Sequence, residues 1–433
     1  MPGDKEELAL FGGPKAIRRP FVRYNSIGAE EALAAKQVIE SGVLSQFLGA
    51  WHKDFYGGPK VQQFERLCEA YFGVNHAVTV NSWTSGLIAA VGAIGIEPGD
   101  EVIVPPWTMS ASATAILHWN AIPVFADIEP ETFCVDPVSV EKNITPYTRA
   151  IMAVDIFGQS SDIEALMAIA NRYGIKVVTD AAQSPGARYK DRYAGTCTQV
   201  GGYSLNFHKH IHTGEGGIIV TDDANVAERL RLIRNHAEAV VGGMGVTDIR
   251  NMIGHNFRLG EIESAIGIEQ LGKLERLVQG RQRAAERLTR GLTGLPGLRT
   301  PAVREGGTHV YYVYSMLLDL PCLNVPRARL VEALEAEGVV GLMNGYVNVH
   351  LLPIFQRKIA YGSKGFPWTS DVCRRQIDYR KGICPVAEEL HEHSFLGLLT
   401  CMHELEDDDV DLLIAAFRKV WGNLDRLRRT VSA

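Results

Sequence analysis

The stretch AIMAVDIFGQSSDIEALMAIANRYGIKVVTDAAQSPG, residues 150–186, decides the fold of this chain. Two apolar runs, 150–156 and 175–180, flank a segment, 162–173, in which apolar residues recur at helical spacing. Runs rich in Val and Ile that alternate with helices are typical of parallel strands buried on both faces. We therefore predict a β–α–β unit whose strands end at the same edge of a sheet.

The same alternation extends toward the N-terminus. Three further apolar runs, each predicted as a strand, are HAVTV (76–80), EVIVP (101–105) and IPVFADI (122–128). Segments with helical spacing, each predicted as a helix, are 29–40, 61–72, 84–94, 109–118 and 137–142. This pattern predicts an α/β fold with a largely parallel sheet, which binds its ligand at the carboxyl ends of the strands.

The pattern changes in YSLNFHKHIHTGEGGIIVTDD, residues 203–223, which predicts two strands joined by a Gly-rich loop. Further helices are predicted at 225–235 and 259–278. Beyond Gly280 helical and strand patterns are mixed. We therefore predict a large domain of residues 1–280, which includes an irregular N-terminal arm, and a smaller α+β domain of residues 281–433.

Composition excludes several classes of protein. The 433 residues carry a net charge of -6, so no basic surface for nucleic acid or an anionic membrane is predicted. No apolar run approaches the roughly 20 residues of a membrane helix, and the start MPGDKEE lacks a secretory hydrophobic stretch. The seven cysteines form no CxxC pair, which favours free thiols and a cytoplasmic location.

Two charged residues are candidates for chemistry. Asp180 ends a predicted central strand and is followed by small, turn-forming residues that leave space above it. A carboxylate at that edge faces the ligand crevice, although an Asp there also serves as a helix cap. Lys209 lies in a Gly-flanked, sheltered stretch, where burial lowers the pKa of an amine toward that of a nucleophile. The alternative for Lys209 is a surface lysine in a hairpin.

Two neutral features lie at the same edge. Thr84 and Ser85 follow a strand and begin a helix, where hydroxyl groups and free N–H groups form an anion site. They are equally consistent with a plain helix cap. Trp107 follows another strand, where its ring could stack on a planar ligand or belong to the core.

Three histidines, His208, His210 and His212, alternate around the lysine and would share one face of a strand. No Cys, Asp or Glu completes a ligand set at metal-site spacing, so we predict no metal. Hydrogen bonding or packing near an anionic cofactor is the alternative. A phosphate site, an aromatic plane, a carboxylate and a lysine on one sheet edge together match what pyridoxal 5′-phosphate (PLP) requires.

These residues lie in motifs that resemble the DegT–StrS sugar aminotransferases, which are fold-type I PLP enzymes. The lysine followed five residues later by GEGG, and the DAAQ element, are the most specific of the shared motifs. The stretches that carry the resemblance are LALFGGPKA (8–16), FERLCEAYFGVNHAV (64–78), GDEVIVPPWT (99–108), PVFADIEPETFCVDP (123–137), VDIFGQSSDIEAL (154–166), TDAAQSPGA (179–187), NFHKHIHTGEGG (206–217), RNHA (234–237) and GHNFRLGEIESAIGIEQLGKL (254–274). The fold implied is a mostly parallel seven-stranded sheet flanked by helices, with a smaller α+β C-terminal domain.

The resemblance implies roles for residues around the cofactor ring. Lys209 would form the Schiff base with PLP and carry the proton between substrate and cofactor. Asp180 would pair with the pyridinium nitrogen, Gln183 would hydrogen-bond the 3′-oxygen, and Trp107 would stack on the ring.

The resemblance also implies a phosphate site and an oligomer. Thr84, Ser85 and Ser204 would hold the phosphate. Asn256 resembles a residue that family members donate to the phosphate of the neighbouring subunit, which implies a homodimer with shared active sites.

The activity implied is transfer of an amino group from glutamate or glutamine to a keto-sugar, with a nucleotide-linked sugar favoured and ping-pong kinetics expected. A keto-cyclitol of the scyllo-inosose type is the alternative acceptor. A related branch dehydrates sugars with His in place of the lysine, and Lys209 argues against it. A non-catalytic partner protein is a further alternative, against which Lys209 and Asp180 both argue.

The chain departs from the family pattern at four places. Trp83 stands where Gly is usual beside the phosphate hydroxyls, and Asp155 stands where His is common. His210 follows the lysine where Asn is common, and residues 348–368 match the family only weakly. We expect Trp83 to reshape the phosphate loop, Asp155 to affect the substrate side, and residues 348–368 to shape the sugar pocket.

Overall fold

The computed structural model describes residues 6–431. The strands, in chain order, are β1 (Val22–Arg23), β2 (His76–Val80), β3 (Glu101–Val104), β4 (Ile122–Phe125), β5 (Thr148–Val154), β6 (Lys176–Asp180), β7 (Arg188–Tyr189), β8 (Arg192–Tyr193), β9 (Val200–Ser204), β10 (Gly217–Thr221), β11 (Leu298–Arg299), β12 (Tyr314–Leu318), β13 (Leu342–Met343), β14 (Phe395–Leu398) and β15 (His403–Glu404). The α-helices are α1 (Ala29–Ser41), α2 (Pro59–Phe72), α3 (Trp83–Ala93), α4 (Ala111–His118), α5 (Pro137–Asn143), α6 (Ile163–Tyr173), α7 (Ala224–Arg234), α8 (Ala237–Met244), α9 (Glu261–Leu292), α10 (Leu320–Leu323), α11 (Arg327–Ala336), α12 (Pro353–Gln356), α13 (Pro385–Glu389), α14 (Asp407–Gly422) and α15 (Leu424–Val431). Short 3-10 turns at Ala9–Phe11, Lys53–Tyr56, Ile156–Gly158, Val349–Leu351 and Thr400–Met402, and a π turn at Leu390–Ser394, complete the elements.

The main sheet has seven strands in the order β2-β10-β9-β6-β5-β3-β4. Strand β10 is antiparallel to both of its neighbours, and the other pairs are parallel. The predicted α/β fold with a mostly parallel seven-stranded sheet is therefore confirmed. Strands β5, β6 and β9 are adjacent, so Val154, Asp180 and Gly202 lie side by side at one edge.

Helix α6 illustrates why the predicted alternation is realised. Its N-cap Asp162 accepts a hydrogen bond from the Ala165 N–H group, and Gly174 ends the helix with a φ of 65°. Its buried side chains, Ile163, Leu166, Ile169 and Ala170, recur at helical spacing. They cover the sheet beside strands β5 and β6, in the same hydrophobic core.

The C-terminal part contains a four-stranded antiparallel sheet in the order β11-β12-β14-β13. A separate hydrophobic core joins this sheet to α11, α14 and the C-terminal half of α9. The N-terminal arm also packs there through Leu8, Ile17 and Phe21. The domains predicted at 1–280 and 281–433 stay a prediction, with two facts bearing on them: α9 runs unbroken through residue 280, and the arm contacts the C-terminal core.

Residues 346–394 pack along β4, one of the two edge strands of the main sheet. The Tyr379 hydroxyl donates to the Pro123 carbonyl at 2.7 Å, and the Phe125 ring meets the rings of His350, Phe355 and Tyr379. The segment thereby covers an edge that would otherwise expose unpaired backbone groups. Along residues 6–431, no helix combines the length and the apolar character needed to cross a bilayer.

Candidate active site

Lys209 lies in the loop that joins β9 to β10. Its side chain is buried, its Nζ atom is 3.4 Å from the Tyr312 hydroxyl, and it stands 4.5 Å from the centre of the Tyr312 ring. Burial lowers the pKa of the amine to about 8, against the opposing effect of the Asp180 charge. About a tenth of the amine is therefore neutral, and nucleophilic, at pH 7.

Asp180 ends strand β6 and is also buried. Its Oδ1 atom accepts hydrogen bonds from Trp83 Nε1 at 2.7 Å and from the Ala182 N–H group at 3.2 Å. Its Oδ2 atom accepts one from Ser112 Oγ at 2.6 Å. Asp180 pairs with Gly202 of β9, the parallel strand that leads into the Lys209 loop, so the carboxylate and the amine lie at the same end of adjacent strands. The Asp180 charge accordingly acts on the pKa of the amine.

Gln183 follows Asp180 by one turn of chain. Its Oε1 atom accepts a hydrogen bond from the Phe157 N–H group at 2.8 Å. The side-chain carbonyl is thus held by the backbone. The NH₂ group is in hydrogen-bonding contact with the Tyr346 hydroxyl, and its second N–H is the donor that remains for a ligand oxygen.

The predicted phosphate residues lie in the first turn of helix α3 and at the end of strand β9. Ser82 caps α3 by accepting from the Ser85 N–H group at 3.1 Å, and Ser85 Oγ donates to Asn81 Oδ1 at 2.7 Å. Thr84 is exposed beside them. Ser204 ends β9, the strand that leads into the lysine loop, and its hydroxyl accepts from the Asn206 N–H group at 3.3 Å.

The donor set fits PLP. A helix N-terminus with hydroxyl groups suits a phosphate, a buried carboxylate suits a pyridinium, and a buried amine of lowered pKa suits an aldehyde. The residues that would hold the group are Thr84, Ser85, Asp180, Gln183, Ser204 and Lys209.

The stacking role predicted for Trp107 is wrong. Its side chain is 0% exposed, and its ring lies against Phe133, Phe157 and Phe395, so no ring face is open to a ligand. Its Nε1 atom donates to Asn348 Oδ1 at 3.1 Å, which ties residues 346–394 to the sheet. The core alternative considered for this tryptophan is the correct one.

The three histidines do not share a strand face, because the chain turns through residues 205–216 instead of extending. His210 is fully buried, with Nε2 2.9 Å from the Val310 carbonyl oxygen. The His212 Nδ1 atom accepts from the Gly214 N–H group, and the His208 ring faces Tyr312. Over residues 6–431, no group of three His, Cys, Asp or Glu side chains is arranged to hold a metal.

Asn256 is exposed and lies beside the phosphate residues of its own chain. Its carbonyl oxygen accepts from Asn81 Nδ2 at 3.3 Å, and its Oδ1 atom accepts from Arg258 Nε at 2.8 Å. A role toward the neighbouring subunit stays a prediction.

Sequence reasoning missed two side chains that contact the candidate catalytic pair. Tyr312 contacts Lys209 from 103 residues away, and Ser112 contacts Asp180 from 68 residues away. Neither has a local signal in the sequence, since both sit in ordinary apolar or helical segments.

Asp155, which departs from the family pattern, is buried in the core beside this site. It is 0% exposed, its Oδ1 atom accepts from the Ser161 N–H group at 2.8 Å, and its Oδ2 atom has no hydrogen-bond partner among the described residues. Burial raises the pKa of this carboxyl to about 7, with a smaller contribution from the Asp180 charge.

Known proteins resemble the chain along most of its length. The model of the DegT/DnrJ/EryC1/StrS aminotransferase family matches residues 44–380. The spore coat polysaccharide biosynthesis protein SpsC of Bacillus subtilis is 33% identical over 94% of this chain and 99% of its own. The L-glutamine:scyllo-inosose aminotransferase of Streptomyces griseus is 32% identical over 98% of this chain and 99% of its own.

A solved structure agrees. DesI, determined in the presence of its TDP-sugar product, superposes with a TM-score of 0.79 and 26% identity, covering 99% of both chains. The chain therefore belongs to the DegT/DnrJ/EryC1/StrS aminotransferase family and is a PLP-dependent aminotransferase of fold type I.

Proposed function

We propose that this enzyme transfers an amino group from glutamate or glutamine to a keto-sugar, with a nucleotide-linked sugar favoured, in amino-sugar biosynthesis. The observation that carries the proposal is the Lys209 amine, which is buried against Tyr312 and lies within electrostatic reach of Asp180. An amine in that setting is a nucleophile, whereas a solvated lysine is not.

When bound, PLP supplies an aldehyde that captures amino groups and a ring that stabilises developing negative charge. We assign Lys209 to attachment of the cofactor and to carrying the proton. Asp180 holds the ring nitrogen, and Gln183 donates its NH₂ group to the ring oxygen. The N-terminus of α3, with Thr84 and Ser85, and Ser204 from β9 hold the phosphate.

We further propose a homodimer in which Asn256 reaches the phosphate of the partner subunit. Exposed apolar side chains between residues 43 and 51 support an interface, because a row of large apolar groups is rarely left in water. The residues concerned are Val43, Leu44, Leu48 and Trp51, which are 39–51% exposed. If Asn256 acts across the interface, mixing Lys209→Ala with Asn256→Ala protein restores part of the activity. If it serves its own chain, where it contacts Asn81, mixing restores none.

The acceptor has two candidates. A nucleotide-linked keto-sugar is supported by DesI, whose product is a TDP-sugar and which matches this chain from end to end. A keto-cyclitol is supported by the scyllo-inosose aminotransferase, which also matches end to end.

The seven free cysteines support a cytoplasmic location.

One experiment separates the acceptors. The enzyme is loaded with the aminated cofactor, pyridoxamine 5′-phosphate, and is mixed with a panel of nucleotide-linked keto-sugars and keto-cyclitols. Return of the visible absorbance of the aldehyde form identifies the acceptor. Return with cyclitols only contradicts the nucleotide-sugar proposal, and return with neither class contradicts both.

A further inference from the structure

Trp83 stands at the first position of α3, directly before the phosphate residue Thr84. Its side chain does not point to solvent but lies beneath the site, 5% exposed. Its Nε1 atom donates to Asp180 Oδ1 at 2.7 Å, across 97 residues of sequence. Trp83 therefore makes a direct contact with the candidate pyridinium partner.

Two glycines provide the space that the indole ring fills. A Cβ atom on Gly86 would lie 2.6 Å from the Trp83 ring, and one on Gly202 would lie 2.4 Å from it. Real Cβ atoms do not approach that closely, so the indole excludes a side chain at both positions. At Gly202 the Ile218 carbonyl oxygen, 2.1 Å from such a Cβ atom, excludes one as well. Gly202 pairs with Asp180 between strands β9 and β6, which places the ring directly beside the carboxylate.

The acceptor capacity of Asp180 is unequally used. Each carboxylate oxygen offers about two lone-pair sites. Oδ1 accepts from Trp83 and from the Ala182 N–H group, so its sites are filled. Oδ2 accepts from Ser112 Oγ, whose own oxygen lies 2.5 Å from Thr108 Oγ1, and one site remains.

We propose that Trp83 is a positioning residue that occupies Oδ1 of Asp180, leaves only Oδ2 for the ring nitrogen of the cofactor, and weakens the carboxylate as the partner of that nitrogen. The inference rests on the proposed role of Asp180. Its physical reason is that donors to one anion compete, because each draws charge from the oxygens that the others use.

The consequence has an unusual sign. A residue that only packs or orients Asp180 would, when altered, weaken the hold on the cofactor in general. Loss of the Trp83 donor instead frees a site on Oδ1 and leaves two donors where there were three. The carboxylate then becomes a stronger acceptor for the ring N–H group, and the gain is specific to that nitrogen.

The test compares two ligands on the apo-protein: PLP, and the carbon analogue 1-deazapyridoxal 5′-phosphate, in which C–H replaces the ring nitrogen. The ratio of their dissociation constants, analogue over PLP, isolates the pairing with Asp180. In Trp83→Phe we expect this ratio to rise about threefold to tenfold, since loss of a competing donor strengthens the charge-assisted hydrogen bond to the ring nitrogen by up to about the net worth of one hydrogen bond.

Trp119→Phe is the matched control. Trp119 is also a buried tryptophan with one indole hydrogen bond, 2.7 Å to the Ile88 carbonyl, and a glycine, Gly92, makes room for its ring. It does not touch Asp180, so its ratio should match that of the unaltered protein.

If Trp83→Phe fails to fold, β-(3-benzothienyl)alanine at position 83 removes the N–H group and keeps the ring shape. An unchanged or lower ratio in either form overturns the proposal. Asp180→Asn separates this result from the proposed function: if that variant keeps the ratio of the unaltered protein, Asp180 does not hold the ring nitrogen at all. A protein that binds neither ligand contradicts the proposed function itself.

Discussion

Replacement of Asp155 by Asn should stabilise the protein at neutral and alkaline pH. Asp155 is 0% exposed, and its Oδ2 atom has no hydrogen-bond partner among the described residues. Burial raises the pKa of the carboxyl to about 7 from an ordinary value of 3.8. The folded protein therefore keeps this proton up to about pH 7, while the unfolded chain releases it near pH 4.

The sign of the effect follows from linkage. Between about pH 4 and 7 the folded state binds one more proton than the unfolded state. The free energy of unfolding therefore falls as the pH rises through this range, and above about pH 7 the contribution of this group no longer changes. The difference between the folded-state pKa of about 7 and the ordinary pKa of 3.8 corresponds to a loss of about 4 kcal/mol in the free energy of unfolding at pH 8. Asn keeps the acceptor for the Ser161 N–H group and carries no charge, so it avoids that loss.

The assay is thermal unfolding of Asp155→Asn and the unaltered protein at several pH values from about 5 to 8. For a chain of this length, about 4 kcal/mol corresponds to about 4 °C in Tm, and the difference should grow with pH. Asp223→Asn is a charge-matched control, because Asp223 is an exposed helix cap. Parallel Tm curves for Asp155→Asn and the unaltered protein would refute the reasoning.

Three further outcomes are expected. The rate at which apo-protein takes up PLP covalently should rise about tenfold per pH unit up to about pH 8 and then level off, because the neutral Lys209 amine is the reactant. Stopped-flow absorbance measures this rate, and a rate that does not depend on pH contradicts the prediction. Glu65→Gln should cost about 3–5 kcal/mol in urea unfolding, since Glu65 Oε1 pairs with the fully buried Arg234, whereas Glu40→Gln in the exposed pair with Lys36 should cost under about 1 kcal/mol. Asp180→Asn should still bind PLP but lose most of its turnover, and turnover equal to that of the unaltered enzyme argues against the role of Asp180.

Local pattern predicted the elements that place the site. The predicted helix at 162–173 is Ile163–Tyr173, and the predicted strand at 175–180 is Lys176–Asp180. Both elements bury side chains at regular intervals, and the spacing of apolar residues in the sequence shows those intervals. Helix α9 extends to Leu292, beyond the predicted 278, because its C-terminal half packs on the second core.

Contacts between distant segments could not be predicted in the same way. Pro-Pro-Trp after a strand is the same sequence whether Trp107 faces a ligand or, as found, a cluster of phenylalanines. The loop histidines were expected on a strand face because alternation does not record where a chain turns. Tyr312 and the indole of Trp83 reach the site only through tertiary packing.

The central claim is that the amine of Lys209 carries the cofactor. The most direct measurement is borohydride reduction of the PLP-loaded protein, followed by mass spectrometry of its peptides. We predict one phosphopyridoxyl adduct on Lys209, which is absent from Lys209→Ala. The adduct should be retained in the control Lys273→Ala, because Lys273 is paired with Glu31. An adduct of undiminished yield in Lys209→Ala would contradict the account.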